Sequence, residues 1–206
     1  MKLVFPDTET TGLDRQSDEI IELAALRVDW PSWRVDGVYY RRFAPYGPVP
    51  HEAAAINGYT PEAWAGAERV TTADLLEFRD FVAGCRWIGS MPQFDFDFIE
   101  RARMARGVDP FVLASRRLWC VNSMAAPLTF AGRVEKGGLD ELCSVLGIGD
   151  PLWTEAAEKL AVVAGERTGP HTAMGDALRC VMVLRRLLSG YLAHSVIAAI
   201  LGEGER

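Results

Sequence analysis

Long apolar runs are missing from this 206-residue chain. The longest one near the C-terminus, Val196 to Leu201, falls far short of the roughly 18 residues a membrane-spanning helix needs. The opening Met-Lys-Leu-Val-Phe-Pro meets an acid at position 7, too soon for a secretory signal, so a cytoplasmic protein without a membrane partner is expected. Cysteine is scarce. Cys85, Cys120, Cys143 and Cys180 are far apart and form no C-x-x-C, which spells out neither a zinc knuckle nor a redox pair and leaves four reduced core residues. Positive charge is not in excess either: a net charge of −6 excludes a protein that coats nucleic acid by neutralising many phosphates. An enzyme that grips only a strand end is still compatible with it. With 24% charged residues and no low-complexity tract, no large segment reads as disordered.

What the chain does have is a composition that is 49% hydrophobic, enough to bury a core for one α/β domain. Lys2 to Phe5, Ile20 to Val28 and Val38 to Phe43 read as sequential strands, and the Pro- and Gly-containing Pro31 to Gly37 reads as a hairpin connection between antiparallel neighbours. Ala53 to Ile56 predicts a short helix inside a structured loop. Thr71 or Thr72 caps a helix over Ala73 to Val82, whose apolar face is Leu75, Leu76, Phe78 and Phe81. A buried strand follows at Arg86 to Gly89, then a helix from Phe94 to Arg106, a strand at Leu118 to Asn122, and helices over Gly138 to Leu146 and Ala173 to Leu188. This order predicts an α/β fold: a five-stranded mixed sheet flanked by helices. A last helix, Leu192 to Ile200, is expected before a frayed end, Gly202 to Arg206.

Three places carry chemistry. Asp7-Thr8-Glu9-Thr10-Thr11-Gly12-Leu13 adjoins the first strand, where residues two apart share a face, so Asp7 and Glu9 converge. Two carboxylates roughly 6 to 7 Å apart at their Cα atoms can flank hard divalent cations. In Phe94-Asp95-Phe96-Asp97-Phe98, after the fourth strand, two carboxylates cannot share a helical face, so one of them enters a site and Asp95 is the candidate. In His171-Thr172-Ala173-Met174-Gly175-Asp176, the histidine follows a Gly-Pro turn and the acid sits in the first turns of the long helix. Histidine titrates near neutral pH and can take a proton from water, whereas a helix-borne carboxylate is held rigidly enough to ligate metal.

These segments, together with Val49-Pro50 through Ala55-Ile56-Asn57-Gly58-Tyr59-Thr60, resemble the DEDDh, or DnaQ-like, 3′-5′ exonuclease family over about residues 2 to 189. The resemblance implies a ribonuclease H-like sheet and a two-metal mechanism, with Asp7, Glu9, Asp95 and Asp176 holding two Mg²⁺ or Mn²⁺ ions and His171 as general base. It further implies that Thr8, Thr10, Thr11, Gly12 and Leu13 cradle the terminal nucleotide through backbone donors and an apolar contact with the base. Residues 1 to 190 would then be the exonuclease domain, with 191 to 206 a C-terminal helix and short tail packed on it. The expected partner is nucleic acid, in particular single-stranded 3′ ends. The C-terminal apolar positions Val196, Ile197, Ile200 and Leu201 suit either a homodimer interface or packing on their own domain.

Two features depart from the family pattern. Ser90-Met91 stand where His-Asn is common, which removes polar contacts at one edge of the site, and Pro6 precedes Asp7 in a strand expected to be central, which predicts a local irregularity there. Two rivals to a free-standing enzyme are an inactive nuclease-like binding or scaffold module and a polymerase's proofreading subunit. Trp30, Trp33, Trp64, Trp87, Trp119 and Trp153 are either stacking platforms for bases or packing residues. Arg41-Arg42, Arg116-Arg117 and Arg185-Arg186 are either phosphate contacts or solvated surface.

Overall fold

β1 runs over Lys2–Thr10, β2 over Ile20–Asp29 and β3 over Arg34–Arg42 in a computed structural model that describes residues 1–148 and 168–191. With β4 (Arg86–Gly89) and β5 (Trp119–Cys120) they form a five-stranded mixed sheet in the order β3-β2-β1-β4-β5. β1 pairs antiparallel with β2, and β2 with β3, while β1·β4 and β4·β5 are parallel. The helices are α1 (His51–Asn57), α2 (Thr72–Val82), α3 (Pro92–Met104), α4 (Val121–Met124), α5 (Ala126–Phe130), α6 (Leu139–Val145) and α7 (Ala173–Arg186). None among the described residues is long and apolar enough to cross a membrane. The expected helix Leu192 to Ile200, the frayed end and Trp153 lie outside the described residues.

Strand alternation divides the core in two. Leu3, Phe5, Ala24, Leu26 and Val28 pack against Ala173, Met174, Ala177, Val181 and Leu184 of α7 on one face. Val4, Leu23, Ala25 and Trp87 pack against Phe78 and Val82 of α2 and Phe98 and Ile99 of α3 on the other. Each fully buried large apolar side chain of these sets contributes about 1.5–3 kcal/mol, so both helical layers are fixed to the strand between them. β1 therefore carries groups aimed at both layers.

Several boundaries move. β1 continues through Thr10 rather than stopping near Phe5, so Asp7 and Glu9 lie within the strand. Pro6 pairs regularly with Ala25; the register shift comes later, between Glu9 and Thr10. Proline is tolerated because parallel pairing with β4 covers only Leu3 and Val4, leaving β1 paired on one side at Pro6. The fifth strand is two residues long because Val121 already begins α4, whose N-terminus is capped by the Cys120 thiol accepting from the Ser123 amide. Thr71 caps α2 in a reciprocal box with Asp74, and Leu76, expected on its apolar face, is exposed because Val82 takes the inward position.

Candidate active site

Three parallel strands, β1, β4 and β5, present their C-terminal ends at one edge, and the N-terminus of α7 abuts β1 and β2 there. One ligand oxygen each from Asp7, Glu9 and Asp176 lies within 4.8 Å of the others. Asp7 and Glu9 share the α7 side of β1 by strand alternation, continuing the series Leu3 and Phe5. Asp176 enters from the first turn of α7.

Asp95 comes from the opposite layer, in the first turn of α3, and is 4% exposed. The Thr8 amide and hydroxyl both donate to its Oδ1, at 2.9 and 2.7 Å. Oδ2 is thus the oxygen it can turn toward the other three, but Asp95 stands outside their tight group. Asp97 points away. It accepts from Gln93 Nε2 at 2.6 Å and pairs with Arg15 at 3.3 Å, tying α3 to the loop after β1.

His171 occupies a turn built for it. Its φ is 56°, a left-handed conformation uncommon outside glycine, although Asn, Asp and His adopt it more often than other residues. The Thr172 hydroxyl donates to the Gly169 carbonyl at 2.7 Å and accepts from the Gly175 amide at 3.1 Å, so the cap of α7 also closes the turn. Gly175 makes this approach feasible, since a Cβ there would sit 1.9 Å from the Gly169 oxygen. The imidazole remains about half exposed, and His171 interacts electrostatically with the Asp176 carboxylate.

The threonines are committed internally. Thr10 donates its hydroxyl to the Gly12 carbonyl at 2.6 Å; Thr11 bonds Asp18 and Glu19 through its hydroxyl and Glu19 through its amide. All three threonines, Thr8 included, are under 9% exposed, whereas Leu13 is 84% exposed. A Cβ at Gly12 would lie 2.3 Å from the Asp18 carboxylate, which would have to give up its bonds from Thr11 and Asp14 to make room. Gly12 and Leu13 are therefore what an incoming ligand can touch, over a threonine scaffold. Of the Ser90-Met91 pair that departs from the family pattern, Ser90 donates to Asn122 at 3.1 Å, joining the end of β4 to the start of α4, and Met91 is exposed.

Several site-shaping residues escaped the sequence. Glu22, fully buried, accepts from the Tyr40 hydroxyl at 2.5 Å and from the Ala173 amide at 3.4 Å, holding the start of α7 beside Glu9, its cross-strand neighbour. A single acid in the apolar run Ile20 to Leu26 was the available signal. Asn57, also buried, donates to the Thr10 carbonyl at 3.0 Å. Arg179 pairs with Asp176 at 2.9 Å and with Asp140 of α6, and Asp140 lies 3.7 Å from His171 Nε2. The i,i+3 spacing of Asp176 and Arg179 was legible; the approach of Asp140 was not.

Four of the tryptophans and one arginine pair resolve toward packing or internal pairing. Trp87 and Trp64 are buried, and Trp30 and Trp33 pack edge to face beside Met1, at the far end of β1. Arg41 is held by Glu77 and Asp74, Arg42 by the Ala63 carbonyl. Arg185 and Arg186, in the last turn of α7, and Arg116 and Arg117 are exposed, as solvated surface would be.

Electrostatically, the site is crowded with like charge. Burial lifts the Asp7 carboxyl well above its ordinary value, and Asp95, Asp176, Glu9 and Glu22 push in the same direction. Burial lifts Asp95 to about 7 in spite of the bonds from Thr8, and lifts Asp176 against the pull of Arg179. An all-oxygen donor set whose carboxyls resist ionising together fits a hard divalent cation such as Mg²⁺ or Mn²⁺, which would relieve that repulsion. A stability signature follows. In the folded protein Asp95 holds its proton up to about pH 7, while unfolded it ionises near 3.8, so its contribution is full at low pH and lost as pH rises through 7. With EDTA present, the melting temperature is expected to fall between pH 5 and pH 8, and Mg²⁺ to abolish most of that slope. A flat profile in EDTA would contradict a crowded carboxylate site. Carboxyls held low, such as Asp14 and Asp36, lose their contribution only in acid, outside this window.

The sequence profile of the RNase T exonuclease family matches residues 4–184. The DNA polymerase III subunit epsilon-like protein of Rhodobacter capsulatus is 30% identical over 98% of this chain but only 26% of that protein's length. Among solved structures, a zinc-bound E. coli exonuclease I complex with single-stranded DNA superimposes with a TM-score of 0.71 at 17% identity, covering 93% of this chain and 41% of that one. E. coli exonuclease I bound to a dT13 oligonucleotide gives 0.66 at 18% identity, covering 91% and 41%. The chain thus spans about a quarter of the curated relative and two-fifths of exonuclease I.

Proposed function

Because the chain belongs to the RNase T exonuclease family, we propose that it removes nucleotides one at a time from the 3′ end of a single-stranded nucleic acid, releasing 5′-mononucleotides. The observation that carries this is the convergence of Asp7, Glu9 and Asp176 within 4.8 Å, with His171 on the turn preceding α7. Asp7, Glu9 and Asp176, joined by Oδ2 of Asp95, would hold two Mg²⁺ or Mn²⁺ ions. When bound, such ions supply Lewis acidity, lowering the pKa of water and stabilising charge on phosphate and leaving-group oxygens. His171 takes the proton of the attacking water, its half-exposed ring able to pass that proton on to solvent. Leu13 packs on the terminal base and the Gly12 backbone lies along its sugar, while Thr8, Thr10 and Thr11 keep that loop in shape. Residues 1 to 190 would suffice as the catalytic unit.

The test is digestion of 5′-labelled single-stranded DNA and RNA oligonucleotides with Mg²⁺, Mn²⁺ or EDTA. A ladder shortening from the 3′ end and abolished by EDTA is expected. No cleavage of either substrate with either metal would instead favour a binding module built on the same fold. Asp95→Asn is expected to remove most activity, and Asp97→Asn to leave turnover within about threefold, the scale of losing a rim ion pair. The reverse order would shift the ligand assignment on α3 by two residues.

A further inference from the structure

Outside the carboxylate group, one charged arrangement stands out. Arg179 is a cation only 6% exposed, on the inner side of α7 one turn beyond Asp176. Its Nη1 holds Asp176 Oδ1 at 2.9 Å and its Nη2 pairs with Asp140 Oδ1. Asp140 stands in the first turn of α6, and its other oxygen, Oδ2, faces His171 Nε2 at 3.7 Å. A buried guanidinium left with one partner would be strongly destabilising, so the fork fixes Asp140 with little freedom. Among the described residues nothing comparable fixes the His171 ring, which projects from a turn and is about half exposed. The Asp140 carboxylate, itself about two-thirds exposed, is among the described residues the charged group in ion-pair range of that ring, while Asp176 acts on it electrostatically.

We propose that Asp140, clamped by the buried Arg179, is a positioning residue for His171, setting the ring's direction relative to the Asp176 carboxylate that the same guanidinium holds. This rests on His171 acting as the base. At 3.7 Å the contact is electrostatic, short of a hydrogen bond, so the effect is orientation of the ring and support of the charge it acquires on taking a proton. One cation thereby sets the spacing between a metal ligand and the base, through two of its own nitrogens. Arg179 itself touches neither water nor substrate in this role.

A double-mutant cycle tests it. Asp140→Asn, with Asp140→Glu as the conservative variant, is made in the wild-type and His171→Ala backgrounds, and kcat, KM, the Mg²⁺ concentration for half-activity and the melting temperature are measured. Asp140→Asn is expected to lower kcat by roughly 10- to 100-fold, the scale for groups that orient a catalytic side chain through one intermediate contact. KM and the Mg²⁺ midpoint should stay within about twofold, Asp140→Glu should recover part of the loss, and Asp140→Asn should add nothing once His171 is gone. If Asp140→Asn costs nothing while His171→Ala is severe, the positioning role is wrong and the base assignment stands. If its loss is equal in both backgrounds, or appears as a shifted Mg²⁺ midpoint, Asp140 acts through Asp176 and the proposal is overturned. If His171→Ala is itself harmless, the base assignment fails and takes this inference with it.

Discussion

Asp7→Asn is expected to reduce cleavage to the level seen with EDTA and, at the same time, to raise the melting temperature measured in EDTA. The two effects have one cause. Asp7 sits at the centre of the carboxylate group, raised by burial and by Asp95, Asp176, Glu9 and Glu22 together. Without a divalent cation these neighbours repel one another across a partly dehydrated space, and an amide of the same shape removes one charge without opening a cavity. In a chain of this size each kcal/mol relieved is about 2–4 °C, so a gain of a few degrees at pH 8 is expected, shrinking toward pH 5 as the carboxyls take up protons. With saturating Mg²⁺ the order should reverse, because the wild type gains stability from bound ions that the variant holds poorly. A lower melting temperature in EDTA would mean that Asp7 serves the fold, and retained cleavage would remove it from the ligand set.

The other large effect is at His171. His171→Ala is expected to lower kcat by roughly 10²- to 10⁴-fold, the range for loss of a positioned general base, with KM and metal dependence little changed. Backbone geometry permits a sharper comparison. At a φ of 56° a non-glycine residue is strained, so His171→Gly should be at least as stable as the wild type, while His171→Ala keeps the strain and loses the ring. Both variants should be equally slow, and imidazole added to the assay should partly restore each. Equal kcat in wild type and variants would leave the turn as a cap for α7 and nothing more.

How much of this site was visible beforehand depends on the range of the interactions. Asp7 and Glu9 were legible because strand alternation is local, and two residues apart is one face whatever the rest of the chain does. The first turn of α7 was legible for a similar reason, since Thr172 caps it through bonds within a few residues. Where boundaries slipped, the deciding contact was remote. Phe5 looks like the end of a strand before Pro6, but β2 offers a partner as far as Ile20 and carries β1 to Thr10. Leu118 and Asn122 look strand-like, but β4 gives an edge strand only two partners, at Ile88 and Gly89.

By its own pattern, then, the sequence determined the α/β class, the order of the five strands and the longer helices though not the short α4 and α5, and which side chains were chemically equipped to hold a cation or take a proton. Beyond the Asp7 and Glu9 pair, tertiary structure alone decided their grouping. Asp95 reaches its place because Thr8, 87 residues earlier, presents an amide and a hydroxyl to it. The start of α7 is held to the sheet by Glu22, 151 residues before Ala173, and Asp140 meets His171 only because Arg179 is buried between α6 and α7. Periodicity and capping are written in neighbours three or four positions away, whereas the meeting of charges from different layers depends on how two helical faces settle on one strand, which no short stretch of sequence encodes.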